Sequence, residues 1–208
     1  MEELKALEQV LIPDSRWDIF VRFDEKIGDF RPSTLAERHS LIGSIKLHPS
    51  VPEDIRVHFA TAKNLLLYAL FVYRFVQVAE LHAYLSVEMA LKEKLKIAKI
   101  LKPPRKKQLT FFDLMEIAIR EQWIVDVGFE RVRRWKIEIE AENELSRKGG
   151  LPLSQEDEDI QGYSKRLITV FPALRNDLAH GSPTLNPTSG FGTLELCAEV
   201  INQLFPQS

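Results

Sequence analysis

The sequence predicts an all-α fold, a helical bundle with a long central helix and a small N-terminal helical cap. Three observations carry that expectation. Apolar residues recur at spacings of three and four along most of the chain, as a helix with one buried face requires. Sustained period-two alternation and the Asn-Gly or Asp-Gly turns of tight hairpins are both missing. Between Pro52 and Pro103 no Gly or Pro interrupts the chain. A length of 208 residues with 45% hydrophobic and 28% charged side chains suits one globular unit, read as a cap over residues 1–51 and a bundle over residues 52–208.

The elements follow in order. Short amphipathic pieces over residues 2–11, 15–27 and 33–47, punctuated by Pro13, Gly28, Pro32 and Pro49, are expected to form the helical cap. Pro52-Glu53-Asp54 is a helix start, with proline in the first turn and acids at the positive end of the dipole. The long stretch after it is one very long helix or two with a bend. Thr110 is suited to cap a helix running to about Gln122. A charge-rich helix is expected over residues 129–147, ended by Gly149-Gly150-Leu151-Pro152.

The next helix is expected to start near Ser154, with Glu156, Asp157, Glu158 and Asp159 in its first turn. Ile160, Tyr163, Leu167, Val170, Leu174 and Leu178 would form its buried face. Pro172 should kink it and Gly181 should stop it. A last helix over residues 193–204 closes the chain.

The bulk numbers narrow the function. A formal charge of −2 gives no overall attraction to nucleic acid or anionic lipid, so a polyanion would need a local patch. The single Cys197 cannot make an internal disulfide, which suits a cytoplasmic location. The start, Met1-Glu2-Glu3, is acidic where a signal peptide is basic. The most apolar stretch, residues 65–73, is too short to span a membrane. His39, His48, His58 and His82 are scattered without ligand spacing, so no metal site and no cofactor are expected. Phosphate-cradling loops, nucleophile elbows and kinase signatures are missing as well.

One segment stands out: Arg175-Asn176-Asp177-Leu178-Ala179-His180. With about 100° of turn per residue, Asn176 and His180 share a helix face while Arg175 lies about 140° round from His180 and roughly 7.5 Å along the axis. The two cannot easily meet on one ideal helix. Either the helix end is distorted, or a second copy of the segment supplies the partner group across a dimer interface.

Arg175 and His180 with four residues between, Asn176 directly after the Arg, the Ala-His-Gly ending and the helix-rich chain before them resemble the HEPN superfamily. The resemblance covers about residues 52–204. It implies a helical bundle that forms a homodimer, with two such motifs lining one cleft. Many members are metal-independent endoribonucleases, several of them toxins with a cognate antitoxin protein; others keep the fold without the activity. Ser182 stands where a commoner version of the motif in toxin members has a Tyr. By this resemblance Arg175, His180 and Asn176 would be catalytic and RNA the substrate. The chemistry is coherent: a neutral His can take the proton of the RNA 2′-OH, and the forked Arg can neutralise the phosphate in the transition state.

Secondary candidates surround the motif. Arg74, Gln77, Glu80, Tyr84 and Glu88 form a polar stripe at spacings of three and four. Glu80, Glu88 or Asp177 would orient the Arg or the His, or else the stripe is an internal ion-pair network. Lys102, Arg105, Lys106 and Lys107 in the proline-stopped loop are candidate RNA-backbone contacts. Arg131, Arg133, Arg134 and Lys136 are followed closely by Glu138, Glu140, Glu142 and Glu144, which reads as a solvated mixed face. The alternatives to an endoribonuclease are a non-catalytic RNA- or nucleotide-binding module of the same type and a helical protein-interaction subunit.

Overall fold

The computed structural model describes residues 4–100, 108–150, 152, 162–181, 186 and 188–207. The described residues hold seven α-helices and one two-stranded antiparallel sheet. The chain is mostly helical, as expected.

The N-terminal region differs from the expected helical cap. Residues 7–9 and 15–17 are single 3-10 turns, and strands β1 (Val21–Asp24) and β2 (Asp29–Pro32) pair as a hairpin where a helix over residues 15–27 was expected. Each strand is only four residues long, too short for the alternation to stand out. Helix α1 (Leu35–Ser44) starts on a capping box: the Thr34 hydroxyl accepts from the Glu37 N–H at 3.3 Å, and the Glu37 carboxylate accepts from the Thr34 N–H at 2.8 Å.

The long stretch free of Gly and Pro is two helices, α2 (Glu53–Tyr68) and α3 (Phe75–Ile97). Their break is made by a distant segment. The indole N–H of Trp17 donates to the Ala69 carbonyl, and the Asp14 N–H donates to the Leu70 carbonyl, both at 2.8 Å. Carbonyls orphaned at the end of α2 thus find partners from the N-terminal region, which makes the bend affordable without a glycine.

Helix α3 is the centre. Val76, Ala79, Ala83, Val87, Ala90 and Leu91 are fully buried on it, and α2, α4 (Phe111–Arg120), α6 (Tyr163–Ala179) and α7 (Ser189–Leu204) all pack on it. Alanines at these positions bring neighbouring helices close. Gly190 of α7 goes further, for a Cβ there would stand 2.7 Å from a Leu66 methyl. Helix α5 (Glu130–Gly149) buries only Val132 and projects its charged length into solvent. It ends on Gly150 in the left-handed region at φ +65°, as the double glycine led one to expect. Among the described residues no helix is long and apolar enough to cross a membrane.

Candidate functional site

Helix α6 carries the motif, and two features place it. Its first turn is capped by Asp126, whose carboxylate accepts from the N–H groups of Gly162 at 3.1 Å and Ser164 at 2.7 Å and from the Ser164 hydroxyl at 2.6 Å. Partial burial opposes ionisation, but these bonds from Ser164 and Gly162 hold the Asp126 carboxyl below the usual range. Its middle is anchored by Phe171, fully buried against Tyr84 at 5.1 Å and Phe111 at 6.4 Å between ring centroids.

The buried face of α6 therefore runs through Ser164, Leu167 and Phe171. This corrects the expected register: Val170 and Leu174 are 42% and 43% exposed. Extending the inner face by one more turn from Phe171 reaches Arg175, so the Arg is directed toward α3. The expected start near Ser154 lies outside the described residues, and the helix continues through Pro172 to Ala179. Proline has no N–H, so the Ile168 carbonyl receives no helical bond from it.

Arg175 donates through Nη2 to Glu88 Oε2 on α3 at 3.1 Å and through Nη1 to Asn176 Oδ1 at 3.1 Å. Glu88 also accepts from Lys92 Nζ at 2.6 Å. The Arg175 Nε is buried without a hydrogen-bond partner. These groups sit on a cleft of about 410 Å³ whose walls include Thr110, Phe112, Pro172 and the side chains of Glu88, Arg175 and Asn176. Phe112 is 42% exposed beside it. Gln108 and Leu109 also line an adjoining apolar cleft of about 400 Å³ with Lys92 and Lys96. The structure thus brings together Arg175, Asn176 and Glu88.

His180 stands apart. It follows the last residue of α6, donates its backbone N–H to the Asn176 carbonyl at 2.9 Å, and exposes its side chain. Among the described residues that side chain makes no hydrogen bond, and no contact joins it to Arg175. Asp177 is also exposed. Glu80 faces α7 instead: its Oε1 accepts from Ser189 Oγ at 2.6 Å and Thr193 Oγ1 at 2.9 Å. Burial pushes the Glu80 carboxyl above its usual range, and the two hydroxyls draw it back.

Lys102, Arg105, Lys106 and Lys107 lie outside the described residues. On α5, Arg133 pairs with Glu130 at 2.8 Å, and Arg131 and Arg134 line a separate cleft of about 640 Å³ with Trp135, Tyr163, Glu195 and Glu199. Burial raises the Glu199 carboxyl above its usual range.

The sequence reading missed Phe112 and Pro172 as cleft walls. Thr110 carried a visible signal, its spacing to Asp113, but that signal spoke of helix capping and not of a cleft. A close pair, His58 and His82, was also missed: the ring centroids are 5.0 Å apart with the planes tilted by 32°, and His58 Nδ1 lies 2.8 Å from the Ser86 hydroxyl. Among the described residues no group of three or more His, Cys, Asp and Glu side chains is placed to hold a metal ion. Comparison of the chain with protein-family models, with curated proteins and with solved structures gave no match.

Proposed function

We propose that the cleft at Arg175 holds a phosphate of RNA and that the chain is an RNA-binding module of HEPN type. The observation that carries the reading is Arg175 itself. Glu88 fixes one end of its guanidinium, while the group remains at the wall of a cleft large enough for a nucleotide. Phe112 offers an exposed ring in the same cleft for a base.

Cleavage is the further step of this reading. The His180 imidazole would take the 2′-OH proton as that oxygen attacks the adjacent phosphorus; the P–O5′ bond breaks, the 5′-oxygen leaves as a hydroxyl with a proton from the imidazolium or water, and a 2′,3′-cyclic phosphate remains. His180 is exposed and does not line the Arg175 cleft of its own chain, so in this reading the step takes the α6 end of a second copy. The binding module is accordingly the reading best supported within one chain, and the endoribonuclease is its homodimeric extension.

The Glu88–Arg175 bridge also favours a second reading, a structural tie between α3 and α6 in a helical interaction subunit. Labelled single-stranded RNA separates the two. With the RNA-binding reading, Arg175→Ala weakens binding at least tenfold while circular dichroism is unchanged. Unchanged binding in a folded Arg175→Ala protein leaves the structural tie as the account. Incubation of the parent with mixed RNA in excess EDTA, beside His180→Ala, tests cleavage: cyclic-phosphate ends in the parent alone are the expected product.

A further inference from the structure

Half-buried cations among the described residues are matched by an acid or a ring, with one exception. Arg31 pairs with Asp24 and Glu37, Lys92 and Arg175 both pair with Glu88, and Lys5 lies in the field of Asp14. Lys94 stands over the rings of Trp123 and Phe205, at 5.4 Å and 5.8 Å from their centroids, and Arg38 over the ring of Trp17 at 3.9 Å. Lys63 on α2 has neither. Its Nζ donates to the Ile45 carbonyl at 2.8 Å, which uses one of its three N–H donors. Burial first, and the like charge of Lys46 second, hold its ammonium below the usual value, and no carboxylate opposes them.

Neighbouring residues repeat the imbalance. Arg38 on α1 is held low by burial with no acid acting on it, and its Nε is buried without a hydrogen-bond partner. Arg38, Lys46 and Lys63 are thus three cations on and just after α1 and on α2 without an acid among them, in a chain that has 30 acidic against 28 basic residues. A half-buried charge without a counter-charge is costly, so an anion is what these residues lack.

A cleft supplies the room. Lys63 lines a cleft of about 230 Å³ between α1 and α2, whose other polar walls are His39 and Asn64. Among the described residues neither of those two side chains makes a hydrogen bond. The remaining wall is formed by Ile42, Gly43, Ala60 and Leu67, so a charge held there is screened less than in open water. We propose that this cleft is an anion site that holds a phosphate group on the Lys63 ammonium, with the Asn64 amide and the His39 ring as further donors and Lys46 adding to the field. The size suits a phosphoryl head, being smaller than the roughly 300 Å³ at which pockets for whole small molecules begin. A phosphate group carries about −1.5 to −2 charge at pH 7, which answers several cations better than a monocarboxylate does.

The cleft shares no residue with the one at Arg175, so this site does not depend on the RNA reading. The test is calorimetric titration of the full chain with inorganic phosphate, in chloride buffer of constant ionic strength, on the parent and on Arg175→Ala. That variant removes any phosphate held at the other cleft, and one saturable site per chain is expected to remain. In its background Lys63→Gln should weaken phosphate binding about tenfold, and Lys46→Gln about threefold. Gly43→Leu keeps every charge and places a side chain in the cleft wall, where a Cβ meets nothing within 4 Å, and leucine favours the helix over glycine. Phosphate binding should be lost in it, which gives the readout even if Lys63→Gln fails to fold. Glycerol phosphate identifies the source of the group: binding tighter than inorganic phosphate marks a phosphomonoester, and equal or weaker binding marks the free ion. No saturable binding of either probe, or an affinity unchanged in folded Lys63→Gln or in Gly43→Leu, would overturn the proposal.

Discussion

Arg175 on α6 and Glu88 on α3, eighty-seven residues apart in the chain, meet at 3.1 Å, and Glu88 is held at the same time by Lys92 at 2.6 Å. The pair joins the helix that carries the motif to the helix at the centre of the bundle. Its side chains are only 31% and 13% exposed, so solvent screens the bridge incompletely.

Removing either partner should cost stability, and unequally. In Arg175→Ala the Glu88 carboxylate keeps Lys92, and the expected loss is about 1–2 kcal/mol. Glu88→Ala leaves the guanidinium facing α3 without its acid, and should cost about 2–3 kcal/mol. Urea denaturation of both single variants and the double variant closes the cycle, with a coupling of about 1 kcal/mol expected. Strict additivity would show that the bridge is incidental.

Stability should fall as the medium is acidified below the ordinary histidine range. Burial first, and the neighbouring His82 second, hold the His58 imidazole below its usual value. The folded state therefore resists a proton that the unfolded chain accepts. Stability is full above the unfolded value of about 6.5 and declines as pH falls from there toward the lower folded value. Unfolding midpoints measured on either side of this window should differ less in His58→Gln than in the parent. An equal difference in both proteins would remove His58 as the cause.

Trp17→Phe tests the bend between α2 and α3. The ring is 5% exposed and its N–H donates to the Ala69 carbonyl. Phenylalanine keeps most of the apolar bulk and loses the bond, so about 1–2 kcal/mol should disappear. The loss should be accompanied by faster hydrogen exchange at residues 69–74 than in the parent. Exchange unchanged there would mean that the bend holds itself.

Asp126→Ala should loosen the start of α6 without unfolding the bundle. The carboxylate accepts three hydrogen bonds from Gly162 and Ser164, and loss of such a cap costs about 1–2 kcal/mol. Because its carboxyl is held below the usual range in the fold, its contribution is present above the unfolded value of about 3.9 and is lost as pH falls through the folded value. Proteolysis within α6 should be faster in the variant than in the parent. An unchanged cutting rate would show that Phe171 alone secures the helix.

The features legible in the sequence are those that neighbouring residues decide. Pro52 with Glu53 and Asp54 opens α2, Thr110 caps α4, the double glycine ends α5 and Gly181, at φ +80°, follows α6. Each depends on residues within one helical turn, so composition and spacing determine it. The mostly helical class and the helical character of residues 53–97 follow from the same local periodicity. Tertiary structure decided the rest. The long stretch splits because Trp17 and Asp14 satisfy carbonyls more than fifty residues away. The hairpin is tied to α1 because Glu37 there receives both Arg22 and Arg31. Helix α6 turns Phe171 inward and leaves Val170 and Leu174 outside because Tyr84 and Phe111 form the slot for a ring. That rotation is what directs Arg175 at Glu88 and leaves His180 in solvent. Helical spacing alone specifies which residues share a face, and only the packing partners specify which face is buried.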